Sequence, residues 1–193
     1  MKTKLKAGLV AAVAALACTL AHADSSSQFY LDLGLGKGHF NGDCTGMSHC
    51  DDSSTGYKLF GGYRLTPGVA VELGYFNFGK PQGDVAQPAG GVARVHGHND
   101  GIGGGFAFTT DLASWLNLTG RLGVMGMKSS VTGGNGGAYL GASSESRGKV
   151  YAGVDLGFVV SRNVTLHASW DLSNSAFENR RVDLLSLGGS VEF

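Results

Sequence analysis

The chain has little proline and little charge, and each shortage excludes a class of protein. Only 3 of its 193 residues are proline, so it is neither collagen-like nor a proline-rich disordered chain. Charged residues make up 16% of the chain, against a usual share of about 25%, which argues against a disordered chain or a coiled coil. The formal net charge is zero and no basic run alternates with aromatic residues, so no nucleic-acid partner is expected.

Long hydrophobic runs are also missing beyond the N-terminal segment. No later stretch approaches the roughly 18 consecutive apolar residues of a helical membrane span. The segment 1–23 has three early lysines, an apolar stretch and then Ala21-His22-Ala23, which fits a small-x-small cleavage site. It is predicted to be a secretory signal peptide that leaves residues 24–193 as the mature domain. Lipoprotein processing at Cys18 is the competing interpretation, but Ala15 stands where such a cleavage box expects leucine.

Cysteine is scarce too, and the mature chain keeps only Cys44 and Cys50. An even count in an exported chain predicts that these two form a disulfide. A metal site that uses His49 between them is less favoured, because the ligand spacing is poor and there is no second pair. His96 and His98 are interpreted as solvated loop histidines. The sequence therefore predicts no metal site and no cofactor.

What the mature chain does contain is apolar residues that recur with a period of two. Phe29, Leu31, Leu33 and Leu35 alternate with polar or small residues, which is typical of a β-strand. The same alternation, over about ten residues each time, marks seven further strand candidates, at residues 57–64, 69–76, 102–109, 116–124, 149–158, 164–171 and 184–193. No window shows a sustained helical period.

The connections between these candidates alternate in length. Short turns at about residues 66–68, 110–114 and 161–163 alternate with long polar connections at about residues 41–55, 79–100, 128–147 and 172–181. Eight such strands after an export signal predict an all-β fold, an eight-stranded antiparallel up-and-down transmembrane β-barrel. The even strand number places both chain ends on the periplasmic, short-turn side.

The two strand faces differ in character. The polar face carries the acids Asp32, Glu72, Asp155 and Glu192 and the bases Lys58, Arg64, Arg121 and Lys149, beside many glycines that suit a crowded lumen. The apolar face is expected to meet lipid. Aromatic residues mark both ends of the strands and predict two girdles, which include Phe29, Tyr63, Phe108, Trp115 and Phe158 at the periplasmic end and Trp170 at the other. A secreted lipocalin-like barrel with an apolar core is the alternative.

The segment from Gly61 to Tyr75, with sequence GGYRLTPGVAVELGY, resembles the second hairpin of OmpA-type outer-membrane barrels. Residues 119–123, 151–155 and 191–193 resemble matching strands of that family. The resemblance covers essentially the whole mature chain and implies a stand-alone barrel of the OmpA and OmpX kind, without the peptidoglycan-binding domain of full-length OmpA. It also implies that Phe193 forms part of the signal that the outer-membrane assembly machinery reads.

The family's barrel interior holds an acid–base cluster whose members match Glu72, Asp155 and Arg121. The sequence departs from the family at His167, where an arginine is expected, and near Gly105, where a lysine is expected. Lys58 and Arg64 are candidate replacements. Strand parity, the alternation of inward and outward residues along each strand, places Glu72, Arg121 and Asp155 on the inward face at similar depth. These three are therefore predicted to form a buried network. Asp32 and Glu192 complete the predicted set of lumen charges.

The predicted function is structural or one of surface interaction in a Gram-negative outer membrane, through adhesion, host-factor binding or envelope integrity. Expected partners are outer-membrane lipid and lipopolysaccharide, the assembly machinery, and host or environmental ligands on the four long loops. An eight-stranded barrel is filled by side chains, so a wide pore is not expected, although a narrow channel remains an alternative. The other alternative is a lipid A-modifying enzyme that uses His167, Ser169 and Glu178. Because His167 and Ser169 are predicted to face the lumen, away from lipid, no enzyme is expected.

Overall fold

The computed structural model describes residues 28–41, 47–86, 92–135, 138–176 and 180–193. The predicted signal peptide, residues 1–23, lies outside the described residues, as does Cys44, and the side chain of Cys50 is not described. The signal peptide and the disulfide therefore stay predictions.

Every regular element in the described part of the chain is a β-strand. The ten strands are β1 (Phe29–Phe40), β2 (Met47–Asp51), β3 (Ser53–Thr66), β4 (Val69–Gly79), β5 (Gln82–Ala86), β6 (Val92–Ala113), β7 (Leu116–Asn135), β8 (Ala138–Ser161), β9 (Val164–Asn174) and β10 (Arg181–Glu192). Among these residues no helix is long and apolar enough to cross a membrane.

Eight of the strands close into a barrel. All except β2 and β5 pair antiparallel with their neighbours along the chain, and the ring closes where β1 pairs with β10, with Leu33 opposite Gly189. Every predicted strand lies within one of these eight strands or overlaps it closely. The predicted eight-stranded antiparallel up-and-down barrel is confirmed.

The prediction was wrong about strand length. Strands β6, β7 and β8 have 22, 20 and 24 residues, so much of the segments 79–100 and 128–147, predicted as loops, is β-sheet. Asp100 pairs with Lys128, which pairs in turn with Ser146. Most residues in this region are polar or small and apolar ones such as Val95 and Val131 are scattered, so the regular apolar alternation that marks a strand in lipid is absent while the hydrogen-bonded ladder continues. Strand β6 also runs to Ala113, which moves the short turn predicted at 110–114 to Ser114-Trp115.

The two faces of the strands point as predicted. Along β1, Leu31 and Leu35 lie on the outside, 48% and 62% exposed, while Tyr30 and Asp32 are buried inside. All six predicted girdle residues are exposed on the outer surface: Phe29, Tyr63, Phe108, Trp115, Phe158 and Trp170. Large apolar side chains outside and charges inside are the reverse of a soluble barrel, which excludes the lipocalin-like alternative.

Candidate functional site in the barrel interior

The middle of the barrel holds a layer of buried ionisable side chains, called here the ionic layer. Each member is at most 6% exposed, and the set is Asp32, Lys58, Glu72, Arg121, Asp155, His167 and Asp171. Six different barrel strands supply these residues, since only β9 gives two. Their inward positions follow from the period-two pattern, which places alternate residues of each strand in the lumen.

Arg121 is the centre of this layer. Its Nε donates to both carboxylate oxygens of Glu72, at 2.9 and 3.1 Å, and its Nη2 donates to Asp32 at 3.3 Å. Its Nη1 donates to Asp155. Glu72 also accepts a hydrogen bond of 2.5 Å from the hydroxyl of Tyr30. The structure thus brings together the predicted trio of Glu72, Arg121 and Asp155, with Asp32 beside them.

Lys58 forms the second cationic centre. Its fully buried Nζ lies 2.8 Å from Oδ2 of Asp171 and 3.4 Å from Oδ1 of Asp155, so Asp155 bridges the lysine and Arg121. Asp171 was missed by the sequence analysis. Strand parity could have found it, because Asp171 lies two residues beyond Ser169 on the inward face of β9.

His167 and Ser169 lie in the lumen but do not interact as an enzymatic pair. The hydroxyl of Ser169 shares a hydrogen bond of 2.7 Å with Ser186. Nε2 of His167 lies 3.0 Å from Asp32. Glu178, the third member of the enzyme alternative, is outside the described residues.

Arg64 and Glu192 are not brought into the ionic layer. They pair with each other near the periplasmic rim, where their side chains are 29% and 30% exposed. The guanidinium of Arg64 also lies 5.2 Å from the centre of the Tyr30 ring. This pair is therefore partly exposed to water and separate from the ionic layer.

An aromatic layer, also missed by the sequence analysis, adjoins the ionic layer and extends from it toward the extracellular side, and the two interleave on β3, where Phe60 lies on the periplasmic side of Lys58. Its members are Phe40, Phe60, Phe76, Phe78, Met125, Met127, Tyr151, Ala176, Val182 and Leu184, all buried. The ring of Phe76 meets Phe60 at 4.9 Å and Tyr151 at 5.1 Å between centroids. The guanidinium of Arg121 lies 5.0 Å from the centroid of Phe60, so the two layers touch. Large side chains at alternate inward positions 60, 76 and 78 were the available signal.

Inward-facing glycines make room for these large side chains. A Cβ atom on Gly74 would lie 2.2 Å from the Phe60 ring, and one on Gly62 would lie 2.1 Å from the Tyr30 ring. Beside Asp32, Arg121 and His167 a polar cavity of about 40 Å³ remains. That volume is close to the roughly 30 Å³ that one water occupies in the liquid, so side chains fill the lumen at this level.

A second candidate surface lies beyond the barrel, on the side opposite the short turns. There β2 and β5 pair alongside the outer parts of β6, β7 and β8 to form an extracellular sheet. Strand β9 pairs with β8 only from Ala152 onward. The chain after β9 turns inward, and the backbone N–H of Ala176 donates to Ser129 at 3.0 Å. In the described chain, residues 143–148 of β8 therefore form an edge that no other strand covers.

The backbone direction along this edge follows from one hydrogen bond. The hydroxyl of Ser173, on the β9 side, donates to the carbonyl of Val150 at 3.0 Å. In an antiparallel strand alternate residues direct both N–H and C=O to the same side. Ser144, Ser146 and Gly148 therefore point their backbone N–H and C=O groups out of the free edge.

Comparison with known proteins identifies the family. Residues 9–193 match the family model described as outer membrane protein beta-barrel domain. Comparison with curated protein sequences gives no match.

Three solved structures share the fold. One is Ail, the attachment invasion locus protein of Yersinia pestis, solved in complex with the heparin analogue sucrose octasulfate; it has 15% identity and a TM-score of 0.58, over 88% of this chain and 100% of that chain. Neisserial surface protein A has 18% identity and a TM-score of 0.55, with the same coverage of both chains. OprG from Pseudomonas aeruginosa has 12% identity and a TM-score of 0.55, over 87% of this chain and 96% of its own. At these identities the likeness shows the fold alone. Since the family model spans nearly the entire sequence, the chain belongs to the outer membrane protein β-barrel family and is a protein of the bacterial outer membrane.

Proposed function

We propose that this protein is a sealed outer-membrane barrel that acts by surface interaction through its extracellular sheet, without transport or catalysis. The observation that carries the proposal is the filling of the lumen by two layers in contact, the ionic layer and the aromatic layer. A barrel closed in this way can contact molecules outside the cell only through its extracellular surface.

The narrow-channel alternative requires both layers to part. Leaving a buried charge without its partner costs about 3–5 kcal/mol, and opening the lumen would leave charges of the ionic layer in that state. Each 1.4 kcal/mol is a factor of ten in an equilibrium constant, so an open state would be populated on the order of 1 in 10² to 1 in 10⁴. The aromatic layer adds a further barrier, because Phe60 and Phe76 are fully buried. Steady conduction is therefore disfavoured.

The positions of His167 and Ser169 argue against the lipid A enzyme alternative. The side chains of His167 and Ser169 are 5% and 2% exposed and point into the lumen, whereas a lipid substrate lies outside the barrel. Ser169 is hydrogen-bonded to Ser186, so no described base is placed to activate it as a nucleophile. We infer a non-enzymatic role.

The free edge of β8 favours a protein partner that adds an extended segment to the sheet. Unpaired N–H and C=O groups on an edge strand are a template for strand addition. Two arginines of the sheet are paired with neighbouring acids: Arg94 with Asp84 at 3.4 Å, Arg147 with Glu145 at 2.6 Å. A sulfated polyanion such as the ligand in the Ail complex is bound through cations, and these two arginines already have acidic partners, which supports a polypeptide partner.

Proline at Ser146 tests the edge directly. Proline removes the outward N–H and is tolerated on an edge strand, whereas Ser146→Ala keeps the N–H and serves as the matched control. Bacteria that display the wild-type barrel should adhere to surfaces coated with host-matrix proteins more than vector-only cells do. Adhesion should be lost in Ser146→Pro and kept in Ser146→Ala. Equal adhesion by the two variants would exclude the β8 edge, and adhesion no better than the vector would exclude the adhesive role.

We also propose outer-membrane lipid and lipopolysaccharide as the surroundings of the apolar outer face, and recognition of Phe193 by the assembly machinery. The backbone N–H of Phe193 donates to the carbonyl of Phe29 at 3.0 Å, which aligns the last residue with the first strand. Replacing Phe193 by alanine should lower the fraction of heat-modifiable barrel in outer membranes. An unchanged fraction would contradict this role of Phe193.

A further inference from the structure

Three side chains able to ligate a metal meet in the ionic layer. Asp32, Asp155 and His167 are all buried, and one ligand atom from each lies within 4.8 Å of the other two. Zinc holds nitrogen and oxygen ligands at about 2.0–2.2 Å, which puts ligand atoms roughly 3.3–3.6 Å apart around a tetrahedral ion. Changes of at most about 1.5 Å in the separations of the three ligand atoms would reach that spacing.

Two of these side chains have unmet hydrogen-bonding atoms. Neither ring nitrogen of His167 has a hydrogen-bond partner within the described residues, and the same is true of Oδ1 of Asp32. Nε2 of His167 is 3.0 Å from Oδ2 of Asp32, but the contact is not aligned as a hydrogen bond. His167 and Asp32 are 5% and 2% exposed and both line the 40 Å³ cavity. Buried polar atoms normally have partners, so an imidazole and a carboxylate without them point to a missing ligand.

The charge of the layer points the same way. With a neutral imidazole, four carboxylates (Asp32, Glu72, Asp155 and Asp171) face two cations (Lys58 and Arg121), which leaves two negative charges in excess. Buried charges are normally paired or coordinate metals. A single divalent cation would balance the excess.

We propose that Asp32, Asp155 and His167 bind one divalent transition-metal ion of the zinc type in the barrel interior. Three protein ligands with a water in the fourth position match the polar, water-sized cavity beside them. Arg121 contacts both ligating carboxylates, through Oδ2 of Asp32 and Oδ2 of Asp155, and would orient them. Arg64 and Ser190 also line the cavity, on the side of the periplasmic rim, which gives the ion a route in from the periplasm.

The ion would tie β1 to the β8–β9 pair across the lumen, independently of any partner on the extracellular sheet. Its binding would therefore raise the resistance of the barrel to unfolding. The proposal does not rest on the surface role, and failure of either leaves the other intact.

The test uses a background protein in which the histidines and cysteines outside the proposed site, which could also bind metal, have been replaced. The mature barrel is produced with His39, His49, His96 and His98 changed to alanine and with Cys44 and Cys50 changed to serine, which leaves His167 as its one histidine. The folded protein in detergent is stripped with a chelator and titrated with Zn²⁺ by calorimetry and with Co²⁺ by visible absorption. We expect one equivalent of either ion and a Co²⁺ spectrum typical of nitrogen and oxygen ligands.

Two variants that each remove one negative charge distinguish a metal ligand from a nearby carboxylate that is not a ligand. Asp32→Asn removes a proposed ligand, and Asp171→Asn removes another buried carboxylate that lies outside the ligand set. Asp32→Asn and His167→Asn should each weaken binding at least about 100-fold, more than the 10–100-fold typical of residues that only orient ligands. Asp171→Asn should weaken binding much less and keep the Co²⁺ spectrum.

Either of two results would overturn the proposal. One is no saturable binding by the folded background protein. The other is binding by His167→Asn or Asp32→Asn equal to that of the background. Should one variant not fold, as judged by heat-modifiability, the other decides, because each removes a different ligand.

Discussion

Replacing Arg121 by methionine should destabilise the barrel more than any other single charge removal. Methionine retains much of the apolar volume but leaves Glu72, Asp32 and Asp155 without their shared guanidinium. Removing one partner of a buried ion pair costs about 3–5 kcal/mol, because the remaining charge stays buried and uncompensated. With three carboxylates affected and only Lys58 left as a formal cation of the layer, we expect at least that cost.

The expected shift is large enough to measure by equilibrium unfolding. With a urea m-value of about 2 kcal/mol/M, a loss of 3–5 kcal/mol lowers the unfolding midpoint by about 2 M. The assay is urea unfolding of the barrel refolded into lipid vesicles, followed by tryptophan fluorescence. Trp115 and Trp170 lie on the outer face, 56% and 41% exposed, so both report the loss of the lipid environment.

Arg64→Met is the matched control. Its ion pair with Glu192 is half-exposed, and pairs in that setting contribute up to about 1 kcal/mol. Its midpoint should fall by less than about 0.5 M. The double variant Arg121→Met with Glu72→Gln should regain part of the lost stability, because one uncompensated carboxylate is gone. Equal midpoints for Arg121→Met and Arg64→Met would refute the central role of the ionic layer.

Two further predictions concern packing and the second cation. Gly74→Ala should cost about 1–3 kcal/mol of unfolding free energy by overpacking against Phe60. Gly120→Ala is the control and should cost far less, because its added Cβ meets nothing within 4 Å. Equal urea midpoints for the two variants would contradict a tightly filled lumen. Lys58→Met should cost about 3–5 kcal/mol of unfolding free energy, and adding Asp171→Asn should recover part of that loss in the same assay. Strictly additive losses would mean that Lys58 and Asp171, 2.8 Å apart, are not energetically coupled.

The sequence predicts the barrel portion of the fold because lipid imposes one rule on every strand. Outward residues such as Leu31 and Leu35 must be apolar, while lumen residues such as Asp32 are free to be polar, so the period of two is visible within each strand. Beyond the membrane the outward face of β6, β7 and β8 is no longer required to be apolar, and inward residues such as Asn99 and Ser129 are polar although buried. The alternation then disappears although the hydrogen bonds persist, which is why the extracellular sheet was predicted as loops.

The candidate site was only partly predictable for a related reason. Strand parity says which residues point inward, and it found Glu72, Arg121 and Asp155 as well as Lys58 and Asp32. It does not say which inward residues meet across the lumen, since that depends on the relative heights of strands that are not neighbours. Arg64 and Glu192 were grouped with the central charges, but they lie at the periplasmic rim.

The aromatic layer is hard to predict because its residues share the inward face of the same strands with charged residues. Phe60 lies two residues from Lys58 on β3, and Phe76 lies four residues from Glu72 on β4. On β4 the inward face changes from charged to aromatic toward the extracellular side, whereas on β3 Lys58 lies on the extracellular side of Phe60. Which inward residues meet as a layer depends on their depth in three dimensions, and strand parity alone does not give that depth.

Single-channel recording in planar lipid bilayers is the most direct test of a closed interior. The refolded wild-type barrel should show no steady ion conductance above that of the protein-free membrane, because Arg121 and Phe60 join the two layers across the lumen. The double variant Arg121→Ala with Phe60→Ala should conduct, which shows that the assay detects an opened lumen. A stable open level in the wild-type barrel, at the same voltage and salt, would contradict the sealed lumen and make the protein a narrow channel.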